Sequence, residues 1–315
     1  NSSTADAVVT VQDSIVPVAI AQNITIEFDA SGAASIVADQ INNGSTDVCG
    51  ISSLAVSQTA FNCSNVGANT VTLTVTDVNG NSSTADAVVI IQDQIAPVVM
   101  SKNISVTLQN GSAIITASSI DNGSYDACGI QSIVIDQSEF DCSNIGNNIV
   151  TLSVTDKNGN VSSTTAIITV IGDQPVASIA VGRTDNTFTG LDSKTIALGY
   201  GAQMLTLTAS NSTSENNITS YEWSPSTGLD NATIADPAFS PTLAGAYTFI
   251  VTATNEFGCS ASTSVNITVL DVRCGNKNDK VLVQHKTGSN SNQWNQICIS
   301  TNAVSTHLSH GDKLG

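Results

Sequence analysis

The sequence predicts an all-β protein made of tandem β-sandwiches. The chain is rich in Val, Ile, Thr, Ser, Asn and Gly and poor in Leu, Lys, Glu and Arg, which is a composition of strands and turns. Apolar and polar residues alternate in segments such as NTVTLTV (69–75) and NIVTLSV (148–154), as expected for half-buried antiparallel strands. Long blocks also recur at a spacing of about 80 residues. Together these features indicate a series of similar β modules.

Each recurring block contains the elements of one module. NSSTADAVVTVQ (1–12) recurs as NSSTADAVVIIQ (81–92), and FNCSNVG (61–67) recurs as FDCSNIG (140–146). Asn-Gly pairs mark tight turns, and about six to eight short strands in this length are typical of an immunoglobulin-like sandwich. We therefore predict tandem immunoglobulin-like β-sandwiches in a linear array. The predicted boundaries are 1–12 for the last strand of a preceding repeat, 13–92 and 93–172 for two repeats, 173–270 for a different sandwich, and 271–315 for a small Cys- and His-containing subdomain.

The third module and the tail have their own patterns. Trp223 is expected to fill the core of the third sandwich. In the tail, 280–285 and 294–300 are predicted strands, and 302–308 is a predicted short helix. A segment of this size needs covalent staples to fold independently.

The charge of the chain limits its partners. Lys and Arg total 9 against 26 Asp and Glu, for a formal net charge of −17 at pH 7. This excess argues against nucleic acid or an anionic membrane surface as a partner, and a cation is the natural counterpart. No apolar run of about 18 residues occurs, so neither a membrane span nor a signal peptide is expected in this sequence.

Cysteines recur at identical spacing in the two repeats. Cys49 and Cys63 correspond to Cys128 and Cys142. We therefore predict one disulfide in each module, Cys49–Cys63 and Cys128–Cys142, formed in an oxidising compartment. The alternative is that these cysteines are buried free thiols kept for packing. An odd cysteine remains in the C-terminal third of the chain.

Acidic loops predict a cation site at each junction between modules. Three segments of each repeat are expected to converge there: the linker before the repeat, the loop before the central strand, and the Asp-x-Asn-Gly-Asn turn. Carboxylate and amide oxygens are ligands that Ca²⁺ selects, so a structural Ca²⁺ is predicted. The alternative is that each turn Asp only caps its own backbone. The candidate ligands are Asp13, Asp47, Asp77, Asn79 and Asn81 at the first junction, and Asp93, Asp126, Asp156, Asn158 and Asn160 at the second.

All three histidines lie in the tail and form a second candidate metal site. His307 and His310 are three residues apart on the predicted helix, so with His285 and Asp312 they could hold zinc. The alternative is that these histidines cap and pack a small stapled subdomain.

The two repeats resemble hyalin repeats, which are immunoglobulin-like modules. The resemblance rests on a Cys-Gly before a central strand, an aromatic residue before a second Cys, and a T-x-T-D-x-x-G-N pattern. These residues are Cys49-Gly50, Phe61, Cys63 and 75–81 in the first repeat, and Cys128-Gly129, Phe140, Cys142 and 154–160 in the second.

The rest of the chain resembles other parts of bacterial surface proteins. The third module is similar to PKD-type domains through YEW (221–223), 225–229, Pro241, 247–254 and Gly258-Cys259. KVLVQHK (280–286) and the residues from 297 onwards resemble the tail motif that precedes the sorting region of Bacteroidota surface proteins.

These resemblances imply a large secreted adhesin delivered by the type IX secretion system and displayed on gliding or biofilm-forming cells. They also imply a Cys274–Cys298 pair, although the tail motif usually has Cys where Gln284 stands, and they leave Cys259 unassigned. The implied location is the cell surface, in association with the outer membrane. The implied partners are neighbouring repeats of a longer chain, surface glycans or other copies of the protein, and the outer-membrane secretion and anchoring machinery.

The sequence predicts a structural or adhesive function. A Gly-x-Ser-x-Gly elbow, a Cys/His pair in a suitable context and a paired Glu within one module are all missing from the sequence, so we predict no catalytic residues and no enzyme. The predicted function is an extracellular stalk segment that projects an adhesive tip or forms a fibre for surface attachment or gliding. The alternative is a set of carbohydrate- or surface-binding accessory modules of a secreted multidomain hydrolase.

Overall fold

The protein is described by a computed structural model that covers residues 2–288 and 294–315. The chain divides into two compact units. The first comprises 1–104, 115–138 and 149–167, and the second comprises 105–114, 139–148 and 168–315. Strands dominate both units, so the predicted all-β class with several sandwich-type sheets is confirmed. In the described part of the chain, no helix has the length and apolar character needed to cross a membrane.

The first repeat contains six strands, one short α-helix and a 3-10 helix at Cys63–Asn65, which recurs at Cys142–Asn144 in the second repeat. Their bounds are β1 Ile24–Glu27, β2 Ala33–Ser35, α1 Ala38–Ile41, β3 Ile51–Val56, β4 Ala60–Asn62, β5 Gly67–Asp77 and β6 Ser82–Gln92. The main sheet has the order β1-β6-β5-β3, and β2 pairs with β4 in a second sheet. β1 runs parallel to β6, whereas β5 is antiparallel to both of its neighbours.

Alternating residues of the long strands form the core of this repeat. Val71, Leu73 and Val75 of β5 are fully buried, and they pack with Phe28 and Phe61. Burial of such a side chain contributes about 1.5–3 kcal/mol relative to its exposure. The period-two pattern at 69–75 therefore corresponds to one buried face of β5, as predicted.

The second repeat has the same elements in the same order. Their bounds are β7 Ile104–Thr107, β8 Ser112–Ile114, α2 Ala117–Ile120, β9 Ile130–Ile135, β10 Glu139–Asp141, β11 Gly146–Asp156 and β12 Val161–Ile171. The strand order is β7-β12-β11-β9, with β8 paired to β10. Gly80 and Gly159, at equivalent positions in the two Asn-Gly turns, have φ values of 92° and 94° that favour glycine.

The third module consists of two packed sheets. Its strands are β13 Ala180–Arg183, β14 Thr195–Leu198, β15 Leu205–Thr208, β16 Ile218–Ser224, β17 Ala238–Phe239, β18 Gly245–Asn255 and β19 Ser260–Asp271. One sheet has the order β13-β15-β17 and the other β14-β19-β18-β16. Trp223 is 2% exposed in the shared core, and its indole N–H donates to the carbonyl of Ile234 at 2.9 Å. The predicted core position of Trp223 is confirmed.

The tail packs on the third module. Its elements are β20 Arg273–Cys274, β21 Lys280–Lys286, β22 Trp294–Ser300, α3 Thr301–Ser309 and β23 Lys313–Leu314. The two predicted strands and the predicted helix are confirmed, with the helix beginning at Thr301. Val304 and Leu308 of α3 and Val283 of β21 share one buried cluster with Ala197 and Tyr200 of the third module. The tail core is therefore continuous with part of that sandwich.

Residues 2–12 form no strand in the structure, although their sequence nearly repeats β6. Val9 and Val11 are 82% and 90% exposed, whereas the corresponding Val89 and Ile91 of β6 are buried. Among the described residues, no strand pairs with this segment. Without a neighbouring strand, its backbone groups and apolar side chains stay in solvent.

Candidate functional site

Both Asp-x-Asn-Gly-Asn turns are closed by their own aspartate. Oδ1 of Asp77 accepts hydrogen bonds from the backbone N–H groups of Asn79 and Asn81, both at 2.8 Å, and its Oδ2 accepts one from Nδ2 of Asn81 at 2.7 Å. Burial would raise the pKa of Asp77, but the hydrogen bonds from Asn81, Asn79 and Gly80 outweigh burial and lower it. Both carboxylate oxygens are therefore already occupied within the turn.

The second repeat reproduces this turn. Asp156 accepts from the backbone N–H groups of Asn158 and Asn160 at 2.8 Å, and from Nδ2 of Asn160 at 2.8 Å. Nδ2 of Asn160 also donates to the carbonyls of Asp93 and Ile95, at 3.1 and 3.3 Å. The turn thus anchors the linker that precedes its own repeat, as Asn81 does through the carbonyl of Asp13.

The third module uses an asparagine for the same task, which the sequence patterns did not identify. Oδ1 of Asn255 accepts from the backbone of Phe257 and Cys259 in the turn after β18, and its Nδ2 donates to the carbonyl of Asp173 at 2.8 Å. Asn255 is 2% exposed. The sequence signals are its position at the end of the long alternating run 245–255 and the segment Thr-Asn-x-x-Gly at 254–258, which matches Thr-Asp-x-x-Gly at 76–80 and 155–159.

The linker and loop aspartates meet at each junction. Ligand atoms of Asp13, Asp47 and Cys49 lie within 4.8 Å of one another, as do those of Asp93, Asp126 and Cys128. The turn aspartates Asp77 and Asp156 are not part of either group. The structure therefore brings together only part of each predicted calcium ligand set.

Asp93 is the most unusual carboxylate at these junctions. Its Oδ1 accepts from the N–H of Ile95 at 3.1 Å, whereas its Oδ2 is buried and has no hydrogen-bond partner among the described residues. Burial raises the pKa of Asp93 against that hydrogen bond, and the nearby carboxylates of Asp126 and Asp156 raise it further. Such an oxygen is stabilised by a proton or by a cation.

The disulfides differ from the prediction for the two repeats. The bonded pairs are Cys63–Cys128, Cys142–Cys259 and Cys274–Cys298. The predicted pairs Cys49–Cys63 and Cys128–Cys142 are therefore wrong, and the implied Cys274–Cys298 pair is present. Cys49 is an exposed free thiol.

The length of β5 explains the error. Cys49 lies two residues before Ile51, which pairs with Asp77 at one end of β5, whereas Cys63 lies just before Gly67 at the other end. The eleven residues of β5 span ten intervals of about 3.3 Å, so these ends are about 33 Å apart. A disulfide needs Cα atoms only about 4.4–6.8 Å apart. We call Cys49 and Cys128 the head cysteines of their repeats, and Cys63 and Cys142 the tail cysteines. These names refer to the two ends of a repeat and not to the C-terminal segment 271–315.

Glycines allow the bonded segments to approach closely. A Cβ atom on Gly32 would lie 2.9 Å from Sγ of Cys63 and 3.1 Å from Cβ of Ala127. At the Cys142–Cys259 bond, the N–H of Gly111 donates to the carbonyl of Phe257 at 2.7 Å. The turn between the first two short strands of a repeat thus packs beside its tail cysteine.

In the tail, Asp312 brings two of the three histidines together. Its Oδ2 is 2.8 Å from Nδ1 of His285 and 2.7 Å from Nδ1 of His307, and its Oδ1 accepts from the N–H of Lys286 at 2.8 Å. Burial would raise the pKa of Asp312, but these hydrogen bonds hold it well below its usual range. His310 lies outside this group. The zinc site stays a prediction, and the shared carboxylate hydrogen-bonds to Nδ1 of both imidazoles without an ion.

Comparisons with known proteins identify the third module. The family described as K319L-like, PKD domain matches residues 192–269, which is less than half of the chain. A search of the curated proteins finds no match. The predicted PKD-like character of this module is thus confirmed, whereas the hyalin-type character of the repeats stays a prediction.

Solved structures of modular extracellular proteins are similar to the chain at low identity. Cadherin domains 1–4 of protocadherin gamma B7 share 10% identity over 81% of this chain and 76% of theirs, with a TM-score of 0.28. Domains EC22–24 of mouse cadherin-23 share 12% over 82% and 99%, with a TM-score of 0.31. The PKD domain of KIAA 1837 shares 25% over 28% and 92%, with a TM-score of 0.22. These TM-scores are too low to support a functional statement. The family match that can be placed on this chain is the PKD domain at residues 192–269.

Proposed function

We propose that this chain is a non-enzymatic structural segment of an extracellular adhesive protein, in which disulfides join successive modules. The observation that carries the proposal is the pairing of Cys63 with Cys128 and of Cys142 with Cys259, since each bond links a residue of one module to a residue of the next. Disulfides persist in oxidising extracellular compartments, which supports the proposed location.

The positions of these bonds suit a segment that carries tension. The cysteines are 65 and 117 residues apart in sequence, so much of the chain lies between bonded residues and cannot be drawn out while the bonds are intact. On the chain-entropy description, closing loops of these lengths stabilises the folded state by about 4–5 kcal/mol each. A stalk built in this way would resist unfolding and would limit its own extension.

The proposal extends to the cell type through the tail. The resemblance of 280–286 and of the residues from 297 onwards supports display by type IX secretion on the outer membrane of a gliding bacterium. A fibre or a stalk of repeats would then present an adhesive tip to glycans or to other copies of the protein. The alternative, accessory modules of a secreted hydrolase, uses the same modules beside a catalytic domain.

We also propose a structural cation, with Ca²⁺ as the candidate, at the second junction. The buried Oδ2 of Asp93, next to the carboxylate of Asp126, fits a cation that would replace its missing hydrogen bond. The turn carboxylate of Asp156 fits less well, since both of its oxygens accept hydrogen bonds from its own turn. Calcium would supply charge neutralisation there and stiffen the linker.

Attachment under flow tests the proposed function. Cells that display the protein with Cys63→Ser and Cys128→Ser should detach at lower shear than cells with the unaltered protein, because the modules would unfold and extend under load. Display levels measured by antibody, and a Ser52→Ala variant at an exposed position of β3, serve as controls. Equal detachment of the two cell types would contradict the proposal. Loss of polysaccharide hydrolysis with unchanged attachment would favour the accessory-module alternative.

A further inference from the structure

The two disulfides between modules follow one pattern, and Cys49 is the cysteine of the two repeats that has no partner in it. The tail cysteine of the first repeat, Cys63, bonds the head cysteine of the second, Cys128, and the tail cysteine of the second repeat bonds the third module. Each tail cysteine thus bonds the module that follows it. Cys49 is the head cysteine of the first repeat, and no tail cysteine among the described residues is bonded to it.

The loop that holds Cys49 has the same hydrogen bonds as the loop that holds the bonded Cys128. Oδ1 of Asp47 accepts from the N–H groups of Cys49 and Gly50 at 2.7 and 3.0 Å. Oδ1 of Asp126 accepts from the N–H groups of Cys128 and its following glycine at 2.7 and 3.1 Å. The aspartate therefore shapes the head loop in the conformation of the bonded state whether or not the bond is present.

Two apolar side chains near Cys49 are more exposed than their counterparts in the second repeat. Val48 is 95% exposed, whereas Cβ of the corresponding Ala127 lies 3.1 Å from where a Cβ of Gly32 would be. Ile15 is 65% exposed, against 37% for its counterpart Ile95. In the second repeat, the turn beside the tail cysteine of the first repeat packs against this face. In the first repeat, no described residue does so.

The segment 2–12 indicates what kind of module belongs there. Its sequence nearly matches β6, and its Val9 and Val11 are exposed although their counterparts in β6 are buried. A strand of this sequence is suited to the last position in the sheet of a repeat like the two in this chain. It lies directly before the linker that carries Ile15, and Ile15 lines the same surface pocket as Asp47 and Val48 of the head loop.

We propose that Cys49 is a disulfide site for the tail cysteine of a further repeat of this type, distinct from the two in this chain. That repeat would take residues 2–12 as its last strand and would place its glycine turn on Val48 and Ile15. The inference deepens the proposed function, on which it rests, by naming the partner of the free head cysteine.

The bond would form by thiol–disulfide exchange. The tail-cysteine thiolate of the partner repeat first attacks the disulfide of an oxidised oxidoreductase or of a small molecule. One sulfur of that disulfide leaves as a thiol, and the tail cysteine is held in a mixed disulfide with the other. The deprotonated sulfur of Cys49 attacks the tail-cysteine sulfur, the new S–S bond forms, and the oxidant leaves as a thiol that takes up the proton. The electron balance closes, because one disulfide is consumed for each disulfide that forms.

Peptide mapping of the protein from its native source tests the inference. The intact protein is treated with an alkylating agent before digestion without reductant, and the peptide that contains Cys49 is identified by mass spectrometry. We expect it to be linked to a peptide with the tail pattern Phe-x-Cys-Ser-Asn that is neither 61–65 nor 140–144. Recovery of the Cys274–Cys298 pair in the same digest shows that bonds were not exchanged during preparation.

Every other state of Cys49 overturns the inference. These states are an alkylated free thiol, a bond to Cys63 or Cys142, a bond to a small thiol, and a bond to a cysteine outside the tail pattern. The proposed function can fail separately, because the detachment assay depends on the bond between Cys63 and Cys128. If Cys49 is a free thiol and loss of the Cys63–Cys128 bond still lowers the shear needed for detachment, the proposed partner of Cys49 is wrong and the proposed function stands.

Discussion

Replacing Cys63 and Cys128 together by serine should increase the length of chain released when the protein is unfolded by force. The bonded residues are 65 apart in sequence, so the intact bond withholds the segment between them from extension. At about 3.3–3.6 Å per extended residue, the withheld length is roughly 215–235 Å. The sum of the unfolding steps should therefore grow by this amount in the double variant.

Single-molecule pulling on the two ends of the oxidised 315-residue chain measures this length directly. The matched control is the double variant Cys274→Ser and Cys298→Ser, whose cysteines are 24 residues apart. This control should release only roughly 80–85 Å more than the unaltered chain. Adding a reductant to the unaltered chain should release at least the lengths seen in both variants.

The result that refutes this reasoning is also a length. If the bonds lay within each repeat, as Cys49–Cys63 and Cys128–Cys142, each would withhold 14 residues (63 − 49 and 142 − 128). The variant that lacks Cys63 and Cys128 would then gain only roughly 90–100 Å. A gain of this size, or no gain, would contradict the pairing between modules.

Three further predictions concern single carboxylates. Asp93→Asn should raise the thermal midpoint of the protein at neutral pH without calcium, because an acid whose pKa is raised by folding destabilises the folded state as pH rises through that pKa. The substitution should also abolish any rise of the midpoint when calcium is added. Thermal melts with calcium and with chelator, with Asp6→Asn as the control, check this, and a calcium effect that persists would contradict it. Asp312→Asn should lower the free energy of unfolding by about 2–3 kcal/mol at pH 7, measured by urea titration. The difference from the unaltered protein should narrow below about pH 4, because a carboxylate whose pKa is lowered by folding contributes its full stability only above its pKa in the unfolded chain. A difference that is unchanged at pH 3 would argue against this role. Asp13→Asn should speed alkylation of Cys49 in the 315-residue chain, because the hydrogen bond to Asp13 and its negative charge raise the pKa of this thiol. Equal rates of iodoacetamide labelling in the two proteins would rule this out.

The sequence by itself determined the fold class and several of its strands and turns. Alternation at 69–75 and 148–154 has one physical meaning in a chain of this composition, which is a strand with one buried face, and both segments lie inside long strands. Gly80 and Gly159 specify turns because their positive φ angles disfavour other residues. Trp223 lies in the core of the third module because exposing so large an apolar side chain to water is unfavourable. These features depend on residues close in sequence, so local patterns predict them.

Only the tertiary structure decided which side chains meet. Identical spacing of Cys49 and Cys63 suggested a bond within one repeat, yet an 11-residue strand holds them at opposite ends of the sheet. The buried oxygen of Asp93 results from how the linker packs against the adjacent loop, which no spacing records. Spacing along a chain measures contour length, whereas disulfides, shared carboxylates and cation sites need atoms within a few ångströms in space. That distance is set by the folded path of the strands between them.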